Sequence, residues 1–286
     1  MPLPEVTLPR TSVQTLHHAG ADYRLLLAWP DEPAPVDGYP IIYALDADAT
    51  FAMLVSLIRQ RSRRPDATGV PPSVVAAIGL AASHADRTRR TWDFTPAGLV
   101  PPTGEWPSGA EPRTGGAPAL LDWLTEEVRE VAERGFPIDP ARRTIVGHSL
   151  GGFFVVDALL ESPARFGTFV AASPSLWWDP QGVMGRAARL ASSPAAAAPR
   201  VLLSVGEYEQ DIAPWQPASA FTEGVRARRA RRRMVDHVVE LAERLAPLGA
   251  RGGAVECLRL AGEDHASVIP LTLSRAVRFG PGLLSS

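Results

Sequence analysis

Short apolar runs alternating with longer helix-patterned stretches predict an α/β fold, with a mostly parallel central sheet and helices on both faces. A second observation agrees: Gly147-His148-Ser149-Leu150-Gly151 stands between a strand-like run and an apolar helical one. That is where a parallel strand would turn into its crossover helix. A third is length, since 286 residues suffice to bury one large core. A single domain over residues 1–286 is expected, without internal repeats.

Strands are expected at residues 23–29, 40–45, 73–79, 143–146, 168–172, 201–205 and 255–260, each a brief apolar run flanked by Gly, Pro or polar residues. Leu120, Leu124, Val128 and Val131 recur at helical spacing, and Gly135 follows as a stop. Further helices are expected over residues 153–161, 226–245 and 267–277. Residues 91–118 are dense in Pro and Gly, carry Trp92 and Trp106, and show neither period. They read as a long loop excursion on the substrate side. The Ala/Pro stretch at residues 191–199 reads as a plain linker.

Composition narrows the function classes. The apolar fraction is 45% and the charged fraction 21%, with a formal net charge of −2. Nucleic acid and anionic membrane surfaces are therefore not indicated as partners. The arginine-rich run at residues 226–233 reads as a solvated helix face. Residues 1–10 lack a basic segment followed by an apolar one, and no apolar run reaches a bilayer span, so the cytoplasm is the expected location. The single cysteine, Cys257, excludes an intrachain disulfide and reads as a buried strand thiol.

The pentapeptide around Ser149 would occur by chance in roughly one chain in ten of this length, so its flanks carry the inference. Thr144-Ile145-Val146 supplies a strand before it, and Gly151-Gly152-Phe153-Phe154-Val155-Val156 opens a helix after it. A serine on that strained turn is a nucleophile that requires a general base. Of six histidines, His17 and His18 precede the core strands. His148 lies in the turn with its side chain directed away from its neighbour's, and His237 sits on the arginine-rich helix. His84 follows the strand at 73–79 as a candidate substrate contact. His265 is left, in the loop after the last expected strand, where a base would fall in the chain order Ser, acid, His.

The orienting acid should follow the strand at 201–205, where Gly206-Glu207-Tyr208-Glu209-Gln210-Asp211 offers three carboxylates. Glu209 ranks first because its distance from the glycine suits a side chain reaching back to the imidazole. Glu207 ranks second and Asp211 third, and Asp264 beside the histidine is a further helper. An oxyanion hole would combine the Leu150 N–H with that of Asp46 or Ala47 in the loop after the strand at 40–45. No cysteine/histidine cluster has metal-ligand spacing, and neither a metal nor a cofactor is expected.

These pieces resemble the putative-esterase family of α/β hydrolases, and within it the branch of enterobactin- and salmochelin-type siderophore trilactone esterases. The resemblance covers nearly the whole chain. It rests on Tyr43-Ala44-Leu45-Asp46-Ala47, Arg90-Thr91-Trp92-Asp93-Phe94-Thr95-Pro96 and Gly147-His148-Ser149-Leu150-Gly151-Gly152. Ser173-Pro174-Ser175-Leu176-Trp177-Trp178, Val205-Gly206-Glu207-Tyr208-Glu209-Gln210 and Gly262-Glu263-Asp264-His265 complete it. Ala47 stands where the family pattern has glycine. The resemblance implies the α/β-hydrolase fold and hydrolysis of a carboxylic ester, with Ser149 as nucleophile and His265 as base. The implied partner is a small-molecule ester, a ferric or iron-free catecholate siderophore. It also implies that a Ser–His pair can suffice without a firmly placed acid. Arg90 matches a family arginine near the active site, as a substrate contact or as the partner of Asp93. Trp177 and Trp178 would form an aromatic pocket wall or pack in the core. An acyltransferase or carboxylesterase for another small acyl substrate, and a non-catalytic binding protein on this scaffold, are the alternative readings.

Overall fold

A computed structural model of the chain describes residues 7–81, 87–100, 112–193, 198–217, 219 and 221–281. Strands β1 (Thr11–His18), β2 (Ala21–Ala28) and β3 (Tyr39–Leu45) lead into helix α1 (Ala47–Arg61) and the single turn α2 (Pro65–Thr68). Strand β4 (Val74–Leu80) and helix α3 (Arg87–Phe94) follow. Helices α4 (Ala117–Trp123) and α5 (Arg129–Glu133) are joined by a π-helical turn, Leu124–Val128. Strand β5 (Ile138–His148) and helix α6 (Leu150–Glu161) flank Ser149. After β6 (Thr168–Ala172) come α7 (Pro180–Ser192), β7 (Arg200–Gly206), α8 (Glu223–Arg232) and α9 (Met234–Leu245). The last elements are β8 (Ala254–Leu260) and α10 (Val268–Phe279).

The eight strands form one sheet in the order β1-β2-β4-β3-β5-β6-β7-β8. Pairings β1–β2 and β2–β4 are antiparallel, and every pairing from β4 to β8 is parallel. Strand β3 is buried along its whole length because helices cover both faces of the sheet. Successive residues face opposite sides. Accordingly Ile41, Tyr43 and Leu45 join the core beneath α4, α6, α7 and α9. Ile42 and Ala44 join the smaller core beneath α1 and α10. Parallel strands deliver their C-terminal ends to one edge of the sheet, where loops gather a site. This is the α/β-hydrolase architecture that the strand and helix pattern predicts.

Several expectations need correction. Strand β1 was not anticipated: it is an edge strand exposing Ser12, Val13, Gln14 and Thr15, so burial leaves no alternation to read. Its His17 pairs with Asp22 at 2.8 Å, and His18 stacks on Trp123. The single helix expected at 226–245 is two helices, broken at Arg233, whose φ is 43°. Because α9 starts afresh after that break, His237 lies three residues from Met234 on its apolar stripe and is buried rather than solvated. Within residues 91–118, Thr91 to Phe94 belong to α3 and Ala117 opens α4, while 101–111 lie outside the described residues. His84 also lies outside them, as do 194–197 of the expected linker. Cys257 is exposed, because β8 is the other edge of the sheet and its residues are only half covered. No helix among the described residues is long and apolar enough to cross a membrane.

Candidate active site

Ser149 sits between β5 and α6 with φ 59° and ψ −118°, a conformation that costs a non-glycine residue on the order of 1–3 kcal/mol. The surrounding structure holds it there. Its N–H donates to the Ala172 carbonyl at 2.9 Å and its carbonyl accepts from Ser175 N–H at 3.0 Å. The turn is so tight that a Cβ on Gly147 would lie 2.3 Å from the Gly151 carbonyl oxygen, and one on Gly152 would lie 2.9 Å from that of Ala172. The flanking glycines are thus required by close backbone approach. Leu150 is the first residue of α6, so its N–H has no acceptor within the helix, and the helix dipole favours negative charge beside it.

Ser149 Oγ lies 2.9 Å from His265 Nε2, and His265 Nδ1 lies 2.6 Å from Glu209 Oε2. Glu209 is anchored in turn, since its Oε1 accepts from Ser173 Oγ at 2.5 Å and from Gly206 N–H at 2.7 Å. Three donors therefore converge on one carboxylate whose side chain is 1% exposed. A carboxylate accepts, so Nδ1 carries the imidazole hydrogen and the Nε2 lone pair faces the serine hydroxyl. Ser173 reaches Glu209 from its own left-handed position, φ 42°, at the end of β6.

Of the other acids, Glu207 accepts from Gly262 N–H at 2.8 Å, tying the β7 loop to the β8 loop. Asp211 caps its neighbour Ile212. Asp264 accepts from the N–H groups of Ala266 and Ser267, both at 2.9 Å, and so shapes the turn that carries His265. None of these three takes the His265 ring.

Asp46 occupies a left-handed position, φ 53°, immediately before α1. Ala47 is the first helical residue, so a Cβ there is unstrained and the turn dispenses with glycine. Arg90 grips Asp46 with two parallel bonds, Nε to Oδ1 and Nη2 to Oδ2, both 2.7 Å. The sequence left Arg90 as a substrate contact or as the partner of Asp93. It is Arg89 that pairs with Asp93, at 2.9 Å, together with Tyr23. Arg90 holds the turn before α1 while still lining the cleft that contains Ser149.

That cleft, about 530 Å³, is lined by Ser149, His265, Arg90, Trp177, Trp178 and Tyr208, among others. Trp177 is half-buried and stacks on Trp178, centroids 5.4 Å apart; Trp178 is buried against the core. Both are therefore wall and packing at once.

Sequence reasoning missed His148. Its ring packs on that of His265, centroids 4.6 Å apart, and its Nε2 lies 2.8 Å from the His265 carbonyl oxygen. Because a carbonyl only accepts, Nε2–H donates. The expectation that His148 turns away from its neighbour overlooked His265, which chain folding brings against its ring from 117 residues away. Burial, with His265 as a like charge next, lowers the His148 pKa to about 4. The ring stays neutral near pH 7 and adds no positive charge beside His265.

The chain belongs to the family described as putative esterase, whose model matches residues 17–244, so ester hydrolysis is its class of activity. The match ends before the loop of His265. The chain is 35% identical over 278 residues to the ferri-bacillibactin esterase BesA of Bacillus subtilis, covering 96% of this chain and 90% of that protein. It is 34% identical over 272 residues to the siderophore enterobactin esterase of Emericella nidulans, covering 90% and 88% respectively. Among solved structures it is similar to the BES protein from Bacillus cereus, with TM-score 0.82 and 28% identity, covering 99% of this chain and 100% of that one.

The His148 shift has a measurable consequence. Unfolded chains bind a proton at His148 below about pH 6.5, folded chains only below about pH 4. Stability therefore falls as pH drops through that window, by at most about 3 kcal/mol. Asp157 opposes it: burial, against the nearby Arg186, raises its pKa to about 6. The folded state then holds the extra proton, and stability rises as pH drops from 6 towards 3.8. Replacing His148 with Gln should remove the first effect and keep the others, among them the lowered pKa values of half-buried His18 and buried His237, so urea midpoints measured from pH 7 to pH 4 should fall less in the variant than in the wild type. Parallel curves would assign the acid sensitivity to other groups.

Proposed function

We propose that this protein is a serine esterase that hydrolyses siderophore ester bonds, with Ser149 as nucleophile, His265 as general base and Glu209 as the acid that orients it. The observation that carries the reading is the continuous Ser149–His265–Glu209 relay. It sits in a chain that aligns along 96% of its length with a ferri-bacillibactin esterase.

His265 Nε2 accepts the Ser149 proton as Oγ adds to the ester carbonyl. In this reading the Leu150 N–H and a backbone N–H of the Asp46–Ala47 turn donate to the developing oxyanion, which the N-terminus of α6 stabilises further. The tetrahedral species collapses with cleavage of the ester C–O bond, and His265 returns the proton to the departing alkoxide. Water then enters, gives a proton to His265 and adds to the acyl carbon. Collapse releases the carboxylic acid and restores the serine hydroxyl. In a cyclic trilactone the first departing alcohol stays tethered through the rest of the ring. The first product is therefore the linear trimer, one water heavier than the substrate.

Incubation with iron-free and ferric catecholate trilactones, beside p-nitrophenyl acyl esters, tests the substrate assignment by mass spectrometry of the products. Linear trimer, dimer and monomer are expected. Turnover of the simple esters alone would leave an esterase of another specificity.

A further inference from the structure

We infer that His148 is a positioning residue for the general base, a role that rests on the proposed function in taking His265 as that base. Ser149 Oγ meets the His265 ring at Nε2, 2.9 Å away. His148 Nε2–H donates to the His265 carbonyl oxygen at 2.8 Å, and the two imidazole rings pack with centroids 4.6 Å apart. Two consecutive residues of the turn between β5 and α6 thus grip one residue of a distant loop, by its ring and by its backbone.

The two sides of this contact differ in rigidity. His148 is the last residue of β5 and stands in register with Ala172 of β6, in the interior of the sheet. His265 stands in an exposed turn after β8, which is an edge strand. The other bonds on that turn flank His265 and do not touch its peptide. Glu207 accepts from Gly262 N–H, and Tyr208 N–H donates to the Glu263 carbonyl. Asp264 closes the turn on the N–H groups of Ala266 and Ser267. Glu209 holds Nδ1, but a ring held at one nitrogen still swings about that bond. The His148 bond fixes the other end of the residue against the strand that carries the nucleophile.

Satisfying a polar group does not explain this contact. A carbonyl on an exposed turn can bond water instead, so the net gain in stability is small. The gain lies in geometry, because a base on a loop acquires the precision of a strand. Misplacing a reacting group by about 1 Å costs on the order of 10²-fold in rate, and that is the scale on which the loss of His148 should be felt.

Three substitutions separate the hydrogen bond from the packing. In His148→Gln the side-chain amide N–H reaches the same carbonyl while the ring is lost. In His148→Phe the ring stays and the donor is lost, and His148→Ala loses both. Each is assayed on p-nitrophenyl butyrate and by the rate at which a fluorophosphonate labels Ser149, which requires no knowledge of the natural substrate. His148→Phe and His148→Ala should lose roughly 10–100-fold in kcat, with KM little changed and labelling slowed in step. His148→Gln should stay within a few-fold of wild type. The low-field proton resonance expected of His265 Nδ1–H, from its 2.6 Å bond to Glu209, should persist in the glutamine variant and broaden in the phenylalanine one. Wild-type rates in His148→Phe, or equal losses in the glutamine and phenylalanine variants, would overturn the inference. Ser149→Ala serves as the control. If it still hydrolyses the ester, the proposed function fails and the role of His148 falls with it. If it is inactive while His148→Phe matches wild type, the relay stands and only the positioning role is lost.

Discussion

Ser149→Ala is expected to lower kcat/KM on any hydrolysed ester roughly 10⁵-fold, the larger of the two effects the active-site geometry implies. The alanine removes the hydroxyl oxygen that lies 2.9 Å from His265 Nε2, and with it the acyl-enzyme route. What persists is water attack assisted by the oxyanion donors and by binding, on the order of 10³-fold over the uncatalysed reaction. His265→Ala should cost about as much, and the double variant little more, because the two groups act as one unit. Folding should hardly change. The strained φ of 59° burdens alanine as it burdens serine, so thermal midpoints should agree within a few degrees. Full activity in the Ser149→Ala protein would place the nucleophile elsewhere.

The second large effect is at Glu209. Glutamine there is nearly isosteric, yet it offers one accepting and one donating end where three donors converge. If its oxygen serves Ser173 and Gly206, its NH2 faces His265 Nδ1, and the imidazole must take the tautomer whose Nε2 carries the hydrogen. That nitrogen can no longer accept the serine proton. A fall in kcat of roughly 10²–10⁴ is expected with KM little changed. Glu209→Ala should lose activity to a similar extent and also stability, since the buried Ser173 hydroxyl and Gly206 N–H are left without their acceptor at about 1–3 kcal/mol each. Denaturant titration separates the two consequences. A Glu209→Gln enzyme within a few-fold of wild type would mean that the Ser149–His265 pair works without an acid.

The parts of this architecture that obey one local rule were legible in the sequence. Buried parallel strands such as Thr168–Ala172 are short, mostly apolar runs bounded by Gly167 and Ser173, so their limits could be read directly. The turn at Ser149 combines a strand, a glycine-framed serine and a helix start, and each confirms the others. Glu209 could be ranked above Glu207 and Asp211 because reach depends on spacing along one loop.

What escaped depends on tertiary placement. Strand β1 is held by pairing with β2 along one edge, which leaves no burial period. Arg233 breaks a run of strong helix formers by taking a left-handed conformation that nothing in its side chain demands. The Arg90–Asp46 pair joins residues 44 positions apart, and the His148 contact with the His265 carbonyl joins residues 117 apart. The α8 arginines carry the same letters whether they face bulk water or a cleft, and only tertiary placement sets Arg228, Arg229 and Arg232 along the cleft of Ser149.

One experiment bears on the nucleophile without requiring the natural substrate. The protein is treated with a fluorophosphonate, its intact mass recorded, and the adduct mapped by peptide sequencing. Attack by Ser149 Oγ displaces fluoride and forms a phosphonyl ester, so a single adduct on Ser149 is expected, with parallel loss of esterase activity and no adduct in Ser149→Ala or at an equal rate in His265→Ala. Labelling at another residue that tracks the loss of activity, or loss of no activity when Ser149 is fully modified, would contradict the account.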